Sequence, residues 1–124
     1  MNRPETLELH PAEPARATVI ILHGLGADGT DFLPLADAMD LAAVGPVRFV
    51  FPRAPARPVT ANGGHVMRAW YDILAFGGAA REDEDGLRES FAAIHALLDA
   101  EVARGVPASR IVLAGFSQGC AMTL

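Results

Sequence analysis

Ten residues, Arg110-Ile111-Val112-Leu113-Ala114-Gly115-Phe116-Ser117-Gln118-Gly119, constrain this chain more than any others, because an apolar run breaks without a linker into Gly-x-Ser-x-Gly. The apolar part reads as a buried strand. A serine on so sharp a strand-to-helix turn needs small residues two positions either side, since the backbone is strained and neighbouring chains pass close. Gly115 and Gly119 meet that need. Ser117 would then stand exposed above the carboxyl end of a sheet, while the amides of Gln118 and Gly119 open a helix whose positive end faces developing negative charge. The pentapeptide reads as a nucleophile elbow, against the alternative of a glycine-rich turn with an incidental serine.

A second glycine-rich turn lies upstream. Ala17-Thr18-Val19-Ile20-Ile21-Leu22 is a continuous run rich in β-branched residues, the pattern of a strand covered on both faces as in a parallel sheet, and it leads into His23-Gly24-Leu25-Gly26-Ala27-Asp28-Gly29. Glycines acting only as strand breakers would account for it. Gly24-x-Gly26-x-x-Gly29 also matches a dinucleotide-binding fingerprint. That reading needs an acidic residue at the end of the next strand, yet Val47-Arg48-Phe49-Val50-Phe51-Pro52 has none, and only Arg53 is there to greet a 2′-phosphate. Asp28 and Asp31 would further repel a pyrophosphate at the helix start. The turn serves acyl transfer better: such chemistry needs two converging amide donors, one after the nucleophile and one from the loop after another strand. Leu25 supplies the second amide, and His23 reads as a residue bracing the loop rather than a base.

Taken with Trp70-Tyr71-Asp72-Ile73, these two turns stand in an order that resembles the carboxylesterase/phospholipase family of α/β-hydrolases, which includes the acyl-protein thioesterases. The resemblance runs over nearly the whole chain but only the front portion of such an enzyme. It implies a three-layer α/β-hydrolase fold with a mostly parallel sheet, in which the strand before the oxyanion loop lies beside the strand before the nucleophile. Leu25 and Gln118 are then neighbouring oxyanion donors, and Ser117 attacks an ester or thioester carbonyl. No metal or cofactor is implied. In such hydrolases the acid and the histidine follow the serine, whereas His10, His23, His65 and His95 all precede Ser117, so residues 1–124 are expected to be the N-terminal portion of one domain, truncated after the elbow. Cys120 departs from the family, whose members usually carry glycine there. The competing class is a noncatalytic dinucleotide- or acyl-binding module.

Other segments frame these turns. Thr6–His10 alternates as a half-exposed strand, with His10 at its tip. Thr30–Met39 is predicted helical, burying Phe32, Leu35, Ala36 and Met39, and Val47–Phe51 is the next strand. Pro52–Ala69, rich in proline and glycine, is expected to be irregular. Within its last part Met67, together with Trp70, is a candidate wall of a substrate pocket; Trp70 and Tyr71 could equally pin the loop to the body. Arg81 to Gly86 hints at a calcium loop, but with Gly86 as sixth position Arg81 and Ala92 fall on ligand positions they cannot fill. The acids there instead favour the start of a helix over Asp85–Arg104 with an apolar stripe Leu87, Phe91, Ile94, Leu98 and Val102, and His95 as a partly exposed structural residue.

Partners and compartment follow from composition. A net charge of −5 without a basic cluster excludes nucleic-acid and anionic-membrane surfaces. No run reaches the length of a membrane span, and the start Met1-Asn2-Arg3-Pro4-Glu5 lacks a signal-peptide core. One cysteine suits a reducing compartment, so the cytoplasm is expected. The resemblance implies an acyl ester as partner, and implies that strands covering the far side of the apolar last strand are absent, so an oligomer or aggregate is expected.

Overall fold

The computed structural model describes residues 4–74 and 82–124. Met1–Arg3 and Arg81, the first position of the rejected calcium loop, lie outside the described residues. Among the described residues six strands and three α-helices follow in chain order: β1 (Glu5–Leu9), β2 (Ala17–Leu22), α1 (Leu33–Ala38), β3 (Val47–Arg53), β4 (Ala56–Val59), β5 (His65–Arg68), α2 (Glu84–Ala103), β6 (Ile111–Gly115) and α3 (Gln118–Thr123). Four strands form one sheet in the order β1-β3-β2-β6, with β2 parallel to both neighbours and β1 antiparallel at one edge. Strand β2 ends opposite the last residue of β6, pairing Leu22 with Gly115. Both glycine-rich turns therefore leave the same end of two adjacent strands, as the family resemblance implies.

Alternation along the central strands divides the core in two. Ile20, Leu22 and Val50 face α2 and α3, packing with Ile94 and Met122. Ile21, Phe49 and Phe51 face the other way, where Phe32, Leu33 and Ala36 close over them. Helices on both faces of a mostly parallel sheet give the expected three layers.

Four local expectations need correction. The helix over Thr30–Met39 is a single-turn 3₁₀ segment, Gly29–Phe32, followed by the six-residue α1, because Asp28 caps the first turn and Pro34 restarts the helix near its N-terminus. With the register thus set, Phe32, Leu33 and Ala36 meet the core while Leu35 and Met39 are exposed. The span Pro52–Ala69 is not irregular: β3 runs on to Arg53, and β4 and β5 pair as an antiparallel ribbon. Prolines are tolerated there because a two-stranded ribbon has two edges and leaves half its amides unpaired. Helix α2 buries Gly86, Ser90, Ile94, Leu97 and Glu101, leaving Phe91 and Val102 about half exposed. Its inward face carries polar groups because they have partners there, as Thr18 and Arg48 do for Glu101. Finally, β6 is not buried: Val112 is 56% exposed, since among the described residues β6 pairs only with β2.

Candidate active site

Ser117 sits at the junction of β6 and α3 with φ 55° and ψ −116°, the only non-glycine residue at positive φ among the described residues. Such backbone costs on the order of 1–3 kcal/mol and persists only where its surroundings enforce it. Here the enforcement comes from contact between chains. A Cβ on Gly115 would collide with the backbone of Gly119, and one on Gly119 would collide with the Leu22 carbonyl and lie 2.6 Å from that of His23. The turn folds this tightly only because both positions are glycine. Ser117 and Phe116 project into solvent, Phe116 with 65% exposure, while Gln118 and Gly119 are buried.

The loop after β2 lies against the elbow. A Cβ on Gly24 would be 3.3 Å from both the Phe116 carbonyl and the Ser117 Cβ, so the two turns touch at backbone distance. Gly26, at φ 72°, gives its amide to the Arg68 carbonyl at 2.9 Å, which ties the loop to β5. Met67, next along β5, has its sulfur 3.5 Å from where a Gly26 Cβ would stand. The Leu25 amide finds no acceptor among the described residues.

Beneath these turns is a buried polar assembly. Gln118 accepts the Trp70 amide at 2.7 Å through Oε1 and donates through Nε2 to the Tyr71 carbonyl at 2.9 Å. Trp70, fully buried, donates from Nε1 to the His23 carbonyl at 2.9 Å, and its own carbonyl accepts from Ser90. Of the two readings open for Trp70, its contacts are those of a pin. His23 is also fully buried, with its ring 5.3 Å from that of Trp70. Its Nε2 accepts the Ala54 amide at 2.9 Å, so Nδ1 carries the proton and donates to the Gly24 carbonyl at 2.7 Å. Such a ring is a brace and has no free nitrogen for a reaction.

No histidine is hydrogen-bonded to Ser117 among the described residues. His10 contacts Arg48 and Glu8, His65 is exposed on β5, and His95 packs against Phe91 on the outer side of α2. The dinucleotide reading loses its remaining support as well: Arg53 Nε lies 3.1 Å from the Asp28 carboxylate, whose other role is to cap the Gly29 turn. That acid is held below the usual carboxylate range; burial pulls it upward, but the Thr30 amide and the surrounding positive charge, Arg53 first and then Arg68, together draw it down. Among the described residues no three metal-ligating side chains gather, and no helix is long and apolar enough to cross a membrane.

Sequence reasoning missed two features. The grip of the Gln118 side chain on residues 70–71 carries no local signal, because its partners are 47 and 48 positions away. The cluster of Thr18, Arg48 and Glu101 had one: a charge within an apolar strand must find a partner if buried.

The family model for phospholipase/carboxylesterase matches residues 7–124. Acyl-protein thioesterase 1 of Schizosaccharomyces pombe is 44% identical over 116 residues, which are 94% of this chain and 51% of that protein. Among solved structures, Arabidopsis thaliana SOBER1 superposes with TM-score 0.81 at 35% identity, covering 88% of this chain and 53% of that one. Zea mays acyl-protein thioesterase 2 gives TM-score 0.77 at 32% identity over 96% and 48%. The chain thus spans about half the length of the curated relatives it matches.

Proposed function

The chain belongs to the phospholipase/carboxylesterase family of α/β-hydrolases, and on that premise we propose that it carries the nucleophile and oxyanion hole of a serine hydrolase acting on carboxylic ester or thioester acyl bonds. The observation that carries this reading is the strained, exposed Ser117 pressed against the Gly24 turn. Ser117 Oγ attacks the acyl carbonyl and passes its proton to a histidine. The amides of Leu25 and Gln118 hold the oxygen as it becomes negative, and collapse expels the alcohol or thiol with the proton returned. Water then repeats the sequence on the acyl-serine and frees the acid.

In this reading residues 1–124 are the N-terminal portion of a single domain whose catalytic histidine and acid lie beyond Leu124. Relatives of about twice the length, matched across nearly all of this chain, support reading it as one part of a longer protein. Met67, against the oxyanion loop, walls the acyl cleft, and Trp70 supports the cleft from below. The likeness to acyl-protein thioesterases makes a protein-bound acyl thioester the first substrate to try. The compartment we assign is the cytoplasm, on the lone exposed Cys120. Among the described residues one edge of β6 has no partner, which supports self-association of the 124-residue chain.

The test is made on the complete enzyme. Ser117→Ala is expected to lower kcat by about a million-fold, the loss found when a triad acting as a unit is broken. A fluorophosphonate probe should label the complete enzyme at Ser117 and leave the 124-residue chain unlabelled, because no described histidine reaches the hydroxyl. Retention of most activity in the alanine variant overturns the reading.

A further inference from the structure

An oxyanion hole works only if its donors are fixed before charge develops, with each amide about 2.7–3.1 Å from the oxygen it will hold. The Gln118 amide is fixed by the helix it opens: the carbonyl of its own peptide unit, that of Ser117, accepts from Ala121 at 3.1 Å. The Leu25 amide has no helix to fix it. It lies in a loop between two glycines, the residues that let a backbone turn most freely.

The peptide unit holding that amide is Gly24 carbonyl to Leu25 nitrogen, and a trans peptide is planar, with N–H and C=O pointing in opposite directions. Whatever fixes the Gly24 carbonyl therefore aims the Leu25 N–H. His23 Nδ1–H holds that carbonyl at 2.7 Å, with help from the Ala27 amide at 3.2 Å. The ring is itself held at its other nitrogen by the Ala54 amide. Its carbonyl is held by the Trp70 indole, and Trp70 by the Gln118 side chain. We propose that His23 is a positioning residue for the oxyanion hole, turning the Leu25 N–H toward the space above Ser117 while Trp70 and Gln118 couple that loop to the nucleophile's turn. The proposal rests on the hydrolase reading above.

The tautomer offers a test without turnover. In the ¹⁵N-labelled complete enzyme at pH 7, His23 should show a protonated Nδ1 and a bare Nε2, and the Nδ1 proton should exchange slowly because the ring is fully buried. A protonated Nε2 on a neutral ring overturns the proposal directly, whatever any variant does. In the complete enzyme, His23→Asn keeps an N–H donor near the Nδ1 position, and His23→Phe keeps only bulk. The Phe variant is expected to lose about 10²- to 10³-fold in kcat with little change in KM, the signature of one lost oxyanion donor. The Asn variant should recover most of that loss. Equal losses in both variants, or a Phe variant whose kcat matches wild type while Ser117→Ala is inactive, refute the positioning role and leave the hydrolase reading standing. Activity surviving in Ser117→Ala refutes the hydrolase reading itself.

Discussion

Single atoms decide whether the elbow can form. Gly119 packs on the carbonyls of Leu22 and His23, which are main chain and cannot swing aside as a flexible side chain could. Gly119→Ala is therefore expected to destabilise by the upper end of about 1–3 kcal/mol, as overpacked sites do, and to move α3 away from β2. Urea unfolding of the two proteins measures it; a change under about 0.5 kcal/mol would mean that the turn has slack. These glycines were legible in the sequence because spacing alone announces them: a strand signal, then a serine flanked at two positions on either side by the smallest residue. The Leu25 loop was legible for a similar reason. What the sequence could not carry was the geometry of Gln118, Trp70 and His23, since a glutamine amide looks the same whether it faces water or grips a main chain 47 residues away.

Elements were legible where pattern and burial agree, and misread where polar partners override the pattern. Strand β2 has the bounds its apolar run predicts, whereas α2 turns its inward face toward Ser90 and Glu101. Phe91 is pushed outward and packs on His95 instead. The start of α2 depends on Asp83, whose Oδ1 accepts the Gly86 amide at 3.0 Å while Oδ2 accepts the Asp72 amide at 2.8 Å. One carboxylate thereby caps a helix and anchors the Trp70–Ile73 segment that reaches the active-site turns. A cap alone is worth about 1 kcal/mol, and stranding the partly buried Asp72 amide adds to it. Asp83→Ala should cost about 1–2 kcal/mol and loosen residues 70–73, read as faster hydrogen exchange at Trp70 and Asp72. Asp83→Asn retains an acceptor and should recover part of the stability. If exchange at Trp70 is unchanged in the alanine variant, the bonds from Gln118, Ser90 and the Trp70 indole hold that segment without Asp83.

At the scale of the whole molecule, the end of the sheet opposite Ser117 is fastened by charge. Arg48 of β3 donates from Nε to Glu101 of α2 at 3.0 Å and lies 2.8 Å from Glu8 of β1, while Thr18 of β2 donates to the same Glu101 oxygen at 2.7 Å. Three strands and a helix are thus tied together through Arg48 and Glu101, both almost wholly buried, around a cavity of about 510 Å³ lined in part by Ile20, Val50 and Leu97. The Glu8 carboxyl is held below its ordinary value of 4.5: burial works to raise it, but the Thr6 hydroxyl and Arg48 together prevail. A depressed folded-state pKa means that the folded chain binds the proton less readily than the unfolded one, so Glu8 contributes stability above its unfolded pKa and loses it as pH falls below that value. Asp72 acts in the same direction, lowered chiefly by the hydrogen bonds from the Thr60 hydroxyl and amide. Thermal unfolding should accordingly give a midpoint that varies little from pH 8 to about 6 and falls from about pH 5 downward, as carboxylates of ordinary pKa near 4 become protonated in the unfolded chain. Glu8→Gln removes the titrating group, so its midpoint should lie lower at pH 7 and decline less steeply in acid. If the two curves run parallel from pH 7 to 3, Glu8 is not a source of the acid sensitivity and the fastening rests on Glu101 alone.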